Sequence, residues 1–308
     1  LTANSGGYYW GVYKPKLAGK FFVRTRCVNH DTASRVAVLT VTGTIPPSTV
    51  FLASTTSTRD SGLFERIGPV FKQNCPEYVL KATFVGSGAA IALGGTGDAD
   101  VLLTHSPTAE VDFMNGIVAG APSAYRGLRR YKVMYNDFVL VGPKTNPAGV
   151  GASVPATQAF QSIATAGSTF WSRNDNSGTN TKEKEIWALI GNPQTGQTWY
   201  KASGTMGMAQ ALAAANDAST GGYTLSDRAT WLNAGALGIV KNLMVVNSGD
   251  ARYFNQYSVI EVRGARNAEG SQDFSNWIRS PEVQELIRTY GEYTYPGQVM
   301  FVPNAGSY

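Results

Sequence analysis

Five consecutive hydroxyl side chains are the residues of this sequence whose types and spacing most clearly suggest chemistry: Ser54, Thr55, Thr56, Ser57 and Thr58. An apolar stretch at residues 50–53 precedes them, and residues 63–71 carry apolar side chains at helical spacing. A helix N terminus presents unpaired N–H groups and a partial positive charge, and hydroxyls donate further hydrogen bonds without adding negative charge. The run therefore predicts a cradle for an anion.

Other loop-to-helix junctions repeat this chemistry at residues 86–89, including Ser87, and at residues 172–179. Arg173 in the second of them adds a cation with a donor fork suited to oxyanions. A weaker junction at residues 223–227 resembles a capping box, with Thr224 as N-cap and Asp227 at the third helical position. For any single junction, plain helix capping is the alternative interpretation. Five hydroxyls in a row exceed what one cap requires.

The elements that position these residues alternate between strand and helix. Strands are expected at residues 79–85 and 100–104, a helix begins near residue 89, and a long strand at residues 131–141 has the mixed character of a strand passing between two lobes. This alternation predicts an α/β fold with a parallel sheet and helices on both faces. Ligands of such sheets lie beyond the carboxyl ends of the strands, where the hydroxyl run falls.

The second half of the chain repeats the alternation. A helix is expected at residues 182–190 with Ile186, Trp187, Leu189 and Ile190 inward, and Ser280, Pro281 and Glu282 mark another helix start. Residues 1–44 predict short strands and form a β-rich extension. The expected organisation is therefore an extension at residues 1–44, a first lobe at residues 45–135 plus 248–308, and a second lobe at residues 136–247.

Composition narrows the class of protein. The 308 residues are 43% hydrophobic and 15% charged, with a net charge of +5 and a pI of about 9.1, which favours a globular protein with anionic partners. No basic run with interleaved aromatics suggests nucleic-acid binding, and no apolar run approaches a membrane span of about 20 residues. Two cysteines, Cys27 and Cys75, and two histidines form no recognisable metal motif. Asp98 and Asp100 indicate a turn before a strand rather than metal ligands.

The sequence resembles the extracytoplasmic solute-binding proteins of tungstate ABC transporters, which have the type 2 periplasmic-binding fold. The matching stretches run in order along most of the chain, at residues 54–63, 97–103, 133–138, 172–179, 199–200 and 223–228. The resemblance implies two lobes, each a mostly parallel sheet flanked by helices, that close on a tetrahedral oxyanion. It places the ligand on Ser54, Thr55, Thr56, Ser57, Ser87, Arg173, Ser177 and Thr179, with Thr58 and Thr224 as further candidates.

What the resemblance implies for function is a non-enzymatic, monomeric, extracytoplasmic protein. It would bind tungstate, and also molybdate, for delivery to an ABC transporter permease, without a cofactor or a metal cation. Ser54 stands where the family has threonine, and Asn174 and Asn176 replace residues that are usually Gly and Asp. Two alternatives stay open. One is a phosphate- or sulfate-binding protein, and the other is a secreted enzyme or signalling module in which His105 or Asp60 acts as acid or base.

Overall fold

The computed structural model describes residues 47–202 and 206–306, together with the backbone of four short strands nearer the N terminus. These strands are β1 (Thr2–Ala3), β2 (Tyr9–Trp10), β3 (Gly19–Val23) and β4 (Ala37–Val41). They form two antiparallel pairs, β1 with β2 and β3 with β4. The strands predicted in the extension coincide with β2, β3 and β4, whereas Cys27 lies outside the described residues.

The body of the molecule alternates strands and helices. Its strands are β5 (Ser48–Thr55), β6 (Tyr78–Val85), β7 (Val101–Thr104), β8 (Ile117–Val118), β9 (Ala121–Pro122), β10 (Arg126–Pro143), β11 (Phe170–Trp171), β12 (Tyr200–Lys201), β13 (Thr224–Asp227), β14 (Leu243–Asn247), β15 (Phe254–Arg263) and β16 (Val302–Pro303). Its helices are α1 (Thr56–Asp60), α2 (Leu63–Asn74), α3 (Ser87–Thr96), α4 (Pro107–Met114), α5 (Ala156–Ala166), α6 (Gly178–Leu189), α7 (Met208–Ala215), α8 (Arg228–Ala236), α9 (Ala268–Ile278) and α10 (Pro281–Arg288).

One eight-stranded sheet carries the fold, in the order β13-β10-β15-β7-β5-β6, with β14 and β16 also paired to β10. The α/β class predicted from the sequence is confirmed. Parallel pairing in this sheet is nevertheless limited to β5 with β6 and β5 with β7. The mostly parallel sheet that was expected therefore holds for these three strands only, because β10 and β15 pass between the lobes in opposite directions and pair antiparallel.

Strand β10 joins the two lobes. Its first part pairs with β15 from Arg126 to Asp137, and its last part pairs with β13 and β14 from Phe138 to Pro143. A single strand thus exchanges one set of neighbours for another along its 18 residues. This confirms the long connecting strand predicted from residues 131–141.

Separate hydrophobic clusters fill the space on the two sides of this exchange. Helices α2, α9 and α10 pack on β5, β7 and β15, whereas α5 and α6 pack on the last part of β10 and on β11 and β13. The first cluster includes Val50, Leu63, Ile67, Phe71, Val259, Phe274 and Ile287, and the second includes Phe138, Leu140, Phe160, Phe170, Ile186, Trp187 and Tyr223. Across the described part of the chain, no helix combines the length and apolar character that a membrane span requires.

Local hydrogen bonding corrects two predicted helix starts. The capping box at residues 223–227 is wrong, because β10 supplies a strand partner and residues Thr224–Asp227 become β13. Asp227 is instead the N-cap of α8, and its Oδ1 accepts from Thr230 N at 3.1 Å. Helix α6 begins at Gly178 rather than Lys182, since Ser177 Oγ caps it by accepting from Asn180 N at 3.2 Å. Leu189, expected inward, is exposed, whereas the start of α10 after Ser280 is confirmed.

Candidate ligand-binding site

The N termini of α1 and α3 lie side by side. Strands β5 and β6 pair in parallel register up to Thr55 and Val85, and each strand is followed at once by its helix. Thr55 caps α1 and Gly86 caps α3. Because the two strands end at the same edge of the sheet, both helix termini direct their N–H groups toward one volume.

The N terminus of α6 and the loop before it approach this volume from the second lobe. Arg173 Nη2 donates to Thr56 Oγ1 at 3.0 Å, which joins the loop to α1. Gly88 N donates to Asn176 O at 3.3 Å, which joins α3 to the same loop. A Cβ atom on Gly86 would lie 3.3 Å from Ser177 Cα, so the two surfaces are in direct contact. Three helix N termini therefore meet at one place.

The run of five hydroxyls divides into two groups at this junction. Ser54 Oγ donates to Leu103 O at 2.9 Å and fixes β5 to β7. Thr55 Oγ1 accepts from Thr58 N at 3.3 Å and shares a hydrogen bond with Thr58 Oγ1 at 3.0 Å. These three hydroxyls support the fold. The other two hydroxyls make no such bond within the first lobe: Thr56 Oγ1 accepts from Arg173 Nη2, and Ser57 Oγ has no partner among the described residues.

Four buried atoms of this region that can donate hydrogen bonds have no partner among the described residues; two buried acceptors on adjoining elements, Asp60 Oδ2 at the end of α1 and His105 Nε2 after β7, also lack one. The four donors are Ser57 Oγ, Ser87 Oγ, Thr179 Oγ1 and Arg173 Nη1. Each can donate a hydrogen bond, and they come from α1, α3, α6 and the loop before α6. Buried polar groups are normally satisfied, so a set of unsatisfied donors from converging elements indicates a ligand that accepts from all of them. Ser177 Oγ accepts from Asn180 N and keeps its own hydrogen available.

Arg173 carries the positive charge of this region and is only 2% exposed. Its Nη2 forms an ion pair with Asp175 Oδ2 at 2.6 Å, and its Nε donates to Met206 O at 3.1 Å. Burial lowers the pKa of the guanidinium, and the charge of Asp175 opposes that change; an arginine nevertheless stays charged at neutral pH. Asp175 also accepts from Ser177 N at 3.1 Å, so it orients both the cation and the helix cap.

Asp175 is the contributor to the site that sequence reasoning missed. The sequence left open whether Arg173 forms a surface ion pair with Asp175 or a contact behind the ligand, and the structure buries this ion pair. A carboxylate two residues after an arginine, in a loop that precedes a helix, was the available signal. The neighbouring Asn174 and Asn176 have positive φ angles of 47° and 53°, a conformation that glycine and asparagine adopt more readily than other residues.

His105 lies at the end of β7 and is buried. Its ring stacks on Tyr257 with centroids 4.6 Å apart, and its Nδ1 is 2.9 Å from Asn255 Oδ1. Burial, and secondarily the charge of Arg173, lowers the pKa of this imidazole to about 4 although the bond to Asn255 opposes the change. Asn255 Nδ2 donates to Asp227 Oδ2, so its oxygen faces the ring and His105 carries its proton on Nδ1. The imidazole is therefore neutral at pH 7.

The remaining candidates lie outside this convergence. Thr224 Oγ1 donates to Trp171 O at 2.7 Å within the second lobe. Asp60 pairs with Arg59 at 2.8 Å. Asp100 accepts from Phe51 N at 2.8 Å and from Asn267 N at 3.0 Å, which gives it the structural role that the sequence favoured. Within the described residues, no group of three His, Cys, Asp or Glu side chains is placed to hold a metal ion.

Two lobes whose helix N termini meet and carry buried donors that have no partner among the described residues define a two-lobed ligand-binding protein. Comparison with known proteins agrees with this class. The family model of the PBP superfamily domain matches residues 41–282. The chain therefore belongs to the PBP superfamily and, within it, to the family of the tungstate-binding proteins.

Three relatives carry the second part of that assignment. A tungstate-binding protein TupA from Peptoclostridium acidaminophilum is 39% identical over 263 residues, covering 83% of this chain and 86% of the relative. The structure of the tungstate-binding protein TupA from Desulfovibrio alaskensis G20 is 34% identical with a TM-score of 0.64, covering 84% and 99%. That of the tungstate ABC transporter from Geobacter sulfurreducens is 33% identical with a TM-score of 0.66, covering 79% and 98%.

This membership confirms the type 2 periplasmic-binding fold predicted by resemblance. It also confirms the prediction of a binding protein rather than an enzyme, since two of these relatives are named tungstate-binding proteins and the third a tungstate ABC transporter.

Proposed function

We propose that this protein binds a tetrahedral oxyanion, tungstate first and molybdate second, between its two lobes. The observation that carries the proposal is the set of four buried donors without partners, Ser57 Oγ, Ser87 Oγ, Thr179 Oγ1 and Arg173 Nη1. A dianion with four oxygens accepts from all of them. The neutral hydroxyls and helix termini provide dipoles, and Arg173 provides the one full positive charge.

The proposed contact set is narrower than the sequence suggested. It comprises the hydroxyls of Thr56, Ser57, Ser87, Ser177 and Thr179 and the guanidinium of Arg173. Ser54, Thr55 and Thr58 hold the strand and the helix cap through their own hydrogen bonds, and Thr224 holds Trp171. These four side chains support the elements that carry the site and do not contact the anion.

The lobes that close on the anion are residues 45–135 plus 248–308 and residues 136–247, with residues 1–44 as an extension. The separate hydrophobic clusters support this division. Helix α8 belongs by sequence to the second lobe, but Ala229 packs in the first cluster and Asn233 Nδ2 donates to Asp60 O at 2.8 Å. Helix α8 thus forms part of the contact between the lobes, and lobe closure would exclude water from the anion.

The place of the protein in transport follows from its family. Relatives are named for a tungstate ABC transporter, so we propose that this chain works outside the cytoplasm as a monomer and delivers its anion to a permease of that class. Discrimination against sulfate, which has the same charge and shape but shorter bonds, would come from the size of the closed volume.

Thermal unfolding with and without oxyanions tests the function. Ligand at a hundred times its dissociation constant stabilises the folded protein by about 2.7 kcal/mol. Tungstate should therefore raise the melting temperature, while sulfate and phosphate at equal concentration should not. Elemental analysis of the purified protein should find tungsten or molybdenum. A melting temperature that responds to sulfate or phosphate alone would replace tungstate with that anion, and no response to any of them would overturn the proposal.

A further inference from the structure

The loop between Ser172 and Ser177 aims the cation and the helix cap, yet its backbone is unusual. Arg173 and Ser177 both lie in it, and the residues between them include Asn174 and Asn176 in the left-handed region. Two such residues so close together persist only where surrounding contacts fix them. The contacts that fix this loop therefore determine where Arg173 points.

Those contacts converge on one carboxylate. Asn174 N donates to Ser172 Oγ at 3.3 Å, and Ser172 Oγ donates to Glu183 Oε2 at 2.7 Å. Asn176 N donates to Asn180 Oδ1 at 3.1 Å, and Asn180 Nδ2 donates to the same Glu183 oxygen at 3.3 Å. Each left-handed residue is thus connected to Glu183 through one intermediate side chain.

The other oxygen of Glu183 is held from the opposite side. Tyr200 OH donates to Oε1 at 2.6 Å and Trp187 Nε1 donates to it at 3.2 Å. All four partners are placed to donate, an arrangement that satisfies both oxygens of an ionised carboxylate. Glu183 is 2% exposed, none of these partners is a cation, and burial raises the pKa of the carboxyl group.

Such an arrangement is costly for the fold alone. A buried charge without a cation is rare, and apolar residues of similar volume commonly replace buried ionic groups without loss of stability. The neighbours Ile186 and Trp187 already form an apolar core on the same face of α6. A carboxylate at this position therefore points to a requirement of the loop that it holds.

We propose that Glu183 is a positioning residue for the ligand. It fixes the loop from Ser172 to Ser177 before the ligand arrives, so that Arg173 and Ser177 are already oriented when the lobes close. This assignment rests on the proposed function of that loop. Among the described residues, the Glu183 carboxylate bonds to Ser172 in the loop, to Asn180 and Trp187 on α6 and to Tyr200, and it acts on the ligand through Ser172 and Asn180.

Replacing Glu183 with Gln tests the assignment, with Glu185→Gln as the matched control. Glu185 lies on the same helix and pairs with Lys182 at the surface. We expect Glu183→Gln to weaken tungstate binding at least tenfold by calorimetry and to accelerate amide hydrogen exchange in residues 172–177. Glu185→Gln should change neither. Unchanged affinity and exchange in Glu183→Gln would overturn the assignment.

Ser172→Ala separates positioning from general stability and covers the case in which Glu183→Gln does not fold. It leaves the carboxylate in place but removes its connection to Asn174, so it should reproduce most of the loss. The double variant should lose little more than Glu183→Gln alone, because Ser172 is one of the two side chains through which Glu183 holds the loop. Losses that multiply, or a Ser172→Ala variant that binds like wild type, would contradict the proposal. Amide hydrogen exchange needs no ligand, so it tests whether Glu183 fixes the loop even if the wild-type protein binds no tungstate.

Discussion

The two sides of the cleft present different chemistry to the same ligand. The first lobe offers Ser57 and Ser87, neutral hydroxyls at the starts of α1 and α3. The second lobe offers the neutral hydroxyls of Ser177 and Thr179 and, in addition, Arg173, a buried cation held by Asp175. Arg173 donates to Thr56, so the guanidinium lies beside the hydroxyls of the first lobe at the contact between the lobes. Both lobes therefore supply neutral hydroxyls, whereas the full positive charge of the contact set comes from the second lobe alone, so that tight binding requires closure.

Arg173→Ala should produce the largest effect, because it removes the charged side of the comparison. The loss of charge-assisted hydrogen bonds and the exposure of an unpaired Asp175 to the anion should weaken tungstate binding by about 3 kcal/mol, or about a hundredfold. Calorimetry measures this directly, and Arg173→Lys should fall between the two because it keeps the charge without the fork. An affinity within about twofold of wild type would remove Arg173 from the site.

Acidification should destabilise the protein, because it places a positive charge on the buried His105 of the first lobe. The pKa of His105 falls from 6.5 to about 4 on folding, so the unfolded chain binds its proton first as pH decreases. The free energy of unfolding should therefore decrease by about 3 kcal/mol between pH 6.5 and pH 4.

The difference between wild type and His105→Asn isolates this contribution. Burial raises the pKa of three other carboxyl groups, those of Glu110, Glu183 and Asp227. As the pH falls from their raised pKa values toward their ordinary ones, these groups increase the free energy of unfolding, which opposes the effect of His105. Asparagine keeps a donor near Asn255 but does not titrate. Chemical denaturation at several pH values should show wild type losing stability relative to the variant; parallel curves would contradict the account.

Gly88→Ala should prevent the two sides from meeting. A methyl group there would lie 2.9 Å from Asn176 O across the lobe contact, which is too close. Overpacking of this kind costs about 2 kcal/mol, so tungstate affinity should fall about thirtyfold. Gly235→Ala in α8 is the control, since its methyl would meet only Val240 at 3.9 Å. Equal affinities of the two variants would show that closure does not depend on this contact.

Ser87→Ala should have a smaller effect, because it removes one neutral donor from the hydroxyl side. A single hydrogen bond of this kind contributes about 1 kcal/mol, so the affinity should fall roughly fivefold with the fold intact. A loss as large as that of Arg173→Ala would show that the two sides do not differ in the way described. Titration calorimetry distinguishes these outcomes.

Thr224→Val should leave the affinity unchanged. Its hydroxyl bonds to Trp171 O inside the second lobe, so the variant should lose about 1 kcal/mol of stability and nothing in binding. Denaturation and calorimetry on the same sample separate the two quantities. Weakened binding at unchanged stability would return Thr224 to the contact set.

The sequence predicted the hydroxyl side better than the charged side. The run from Ser54 to Thr58 between a strand and a helix is a local pattern, and local patterns determine strand ends and helix starts. The division of that run was not predictable, because Ser54 bonds to Leu103, which is 49 residues away. Which hydroxyls support the fold and which face the ligand depends on such distant partners.

The charged side depended on contacts that no local pattern reveals. Burial of the Arg173–Asp175 pair follows from the approach of α1 and α3 from the other lobe. The strand at Thr224–Asp227 likewise follows from pairing with β10, which overrides its resemblance to a helix cap. Glu183 did leave a visible signal, since it shares helical spacing with Ile186 and Trp187 and is a charge on an apolar face.

A crystal structure of the protein grown with tungstate, with anomalous data at a tungsten absorption edge, would locate the bound anion. We expect one tungsten site between the N termini of α1, α3 and α6, with the anion's oxygens in hydrogen-bond range of Ser57 Oγ, Ser87 Oγ, Thr179 Oγ1 and Arg173 Nη1. A tungsten peak outside this cleft, or one at which those four atoms do not face the anion, would contradict this expectation.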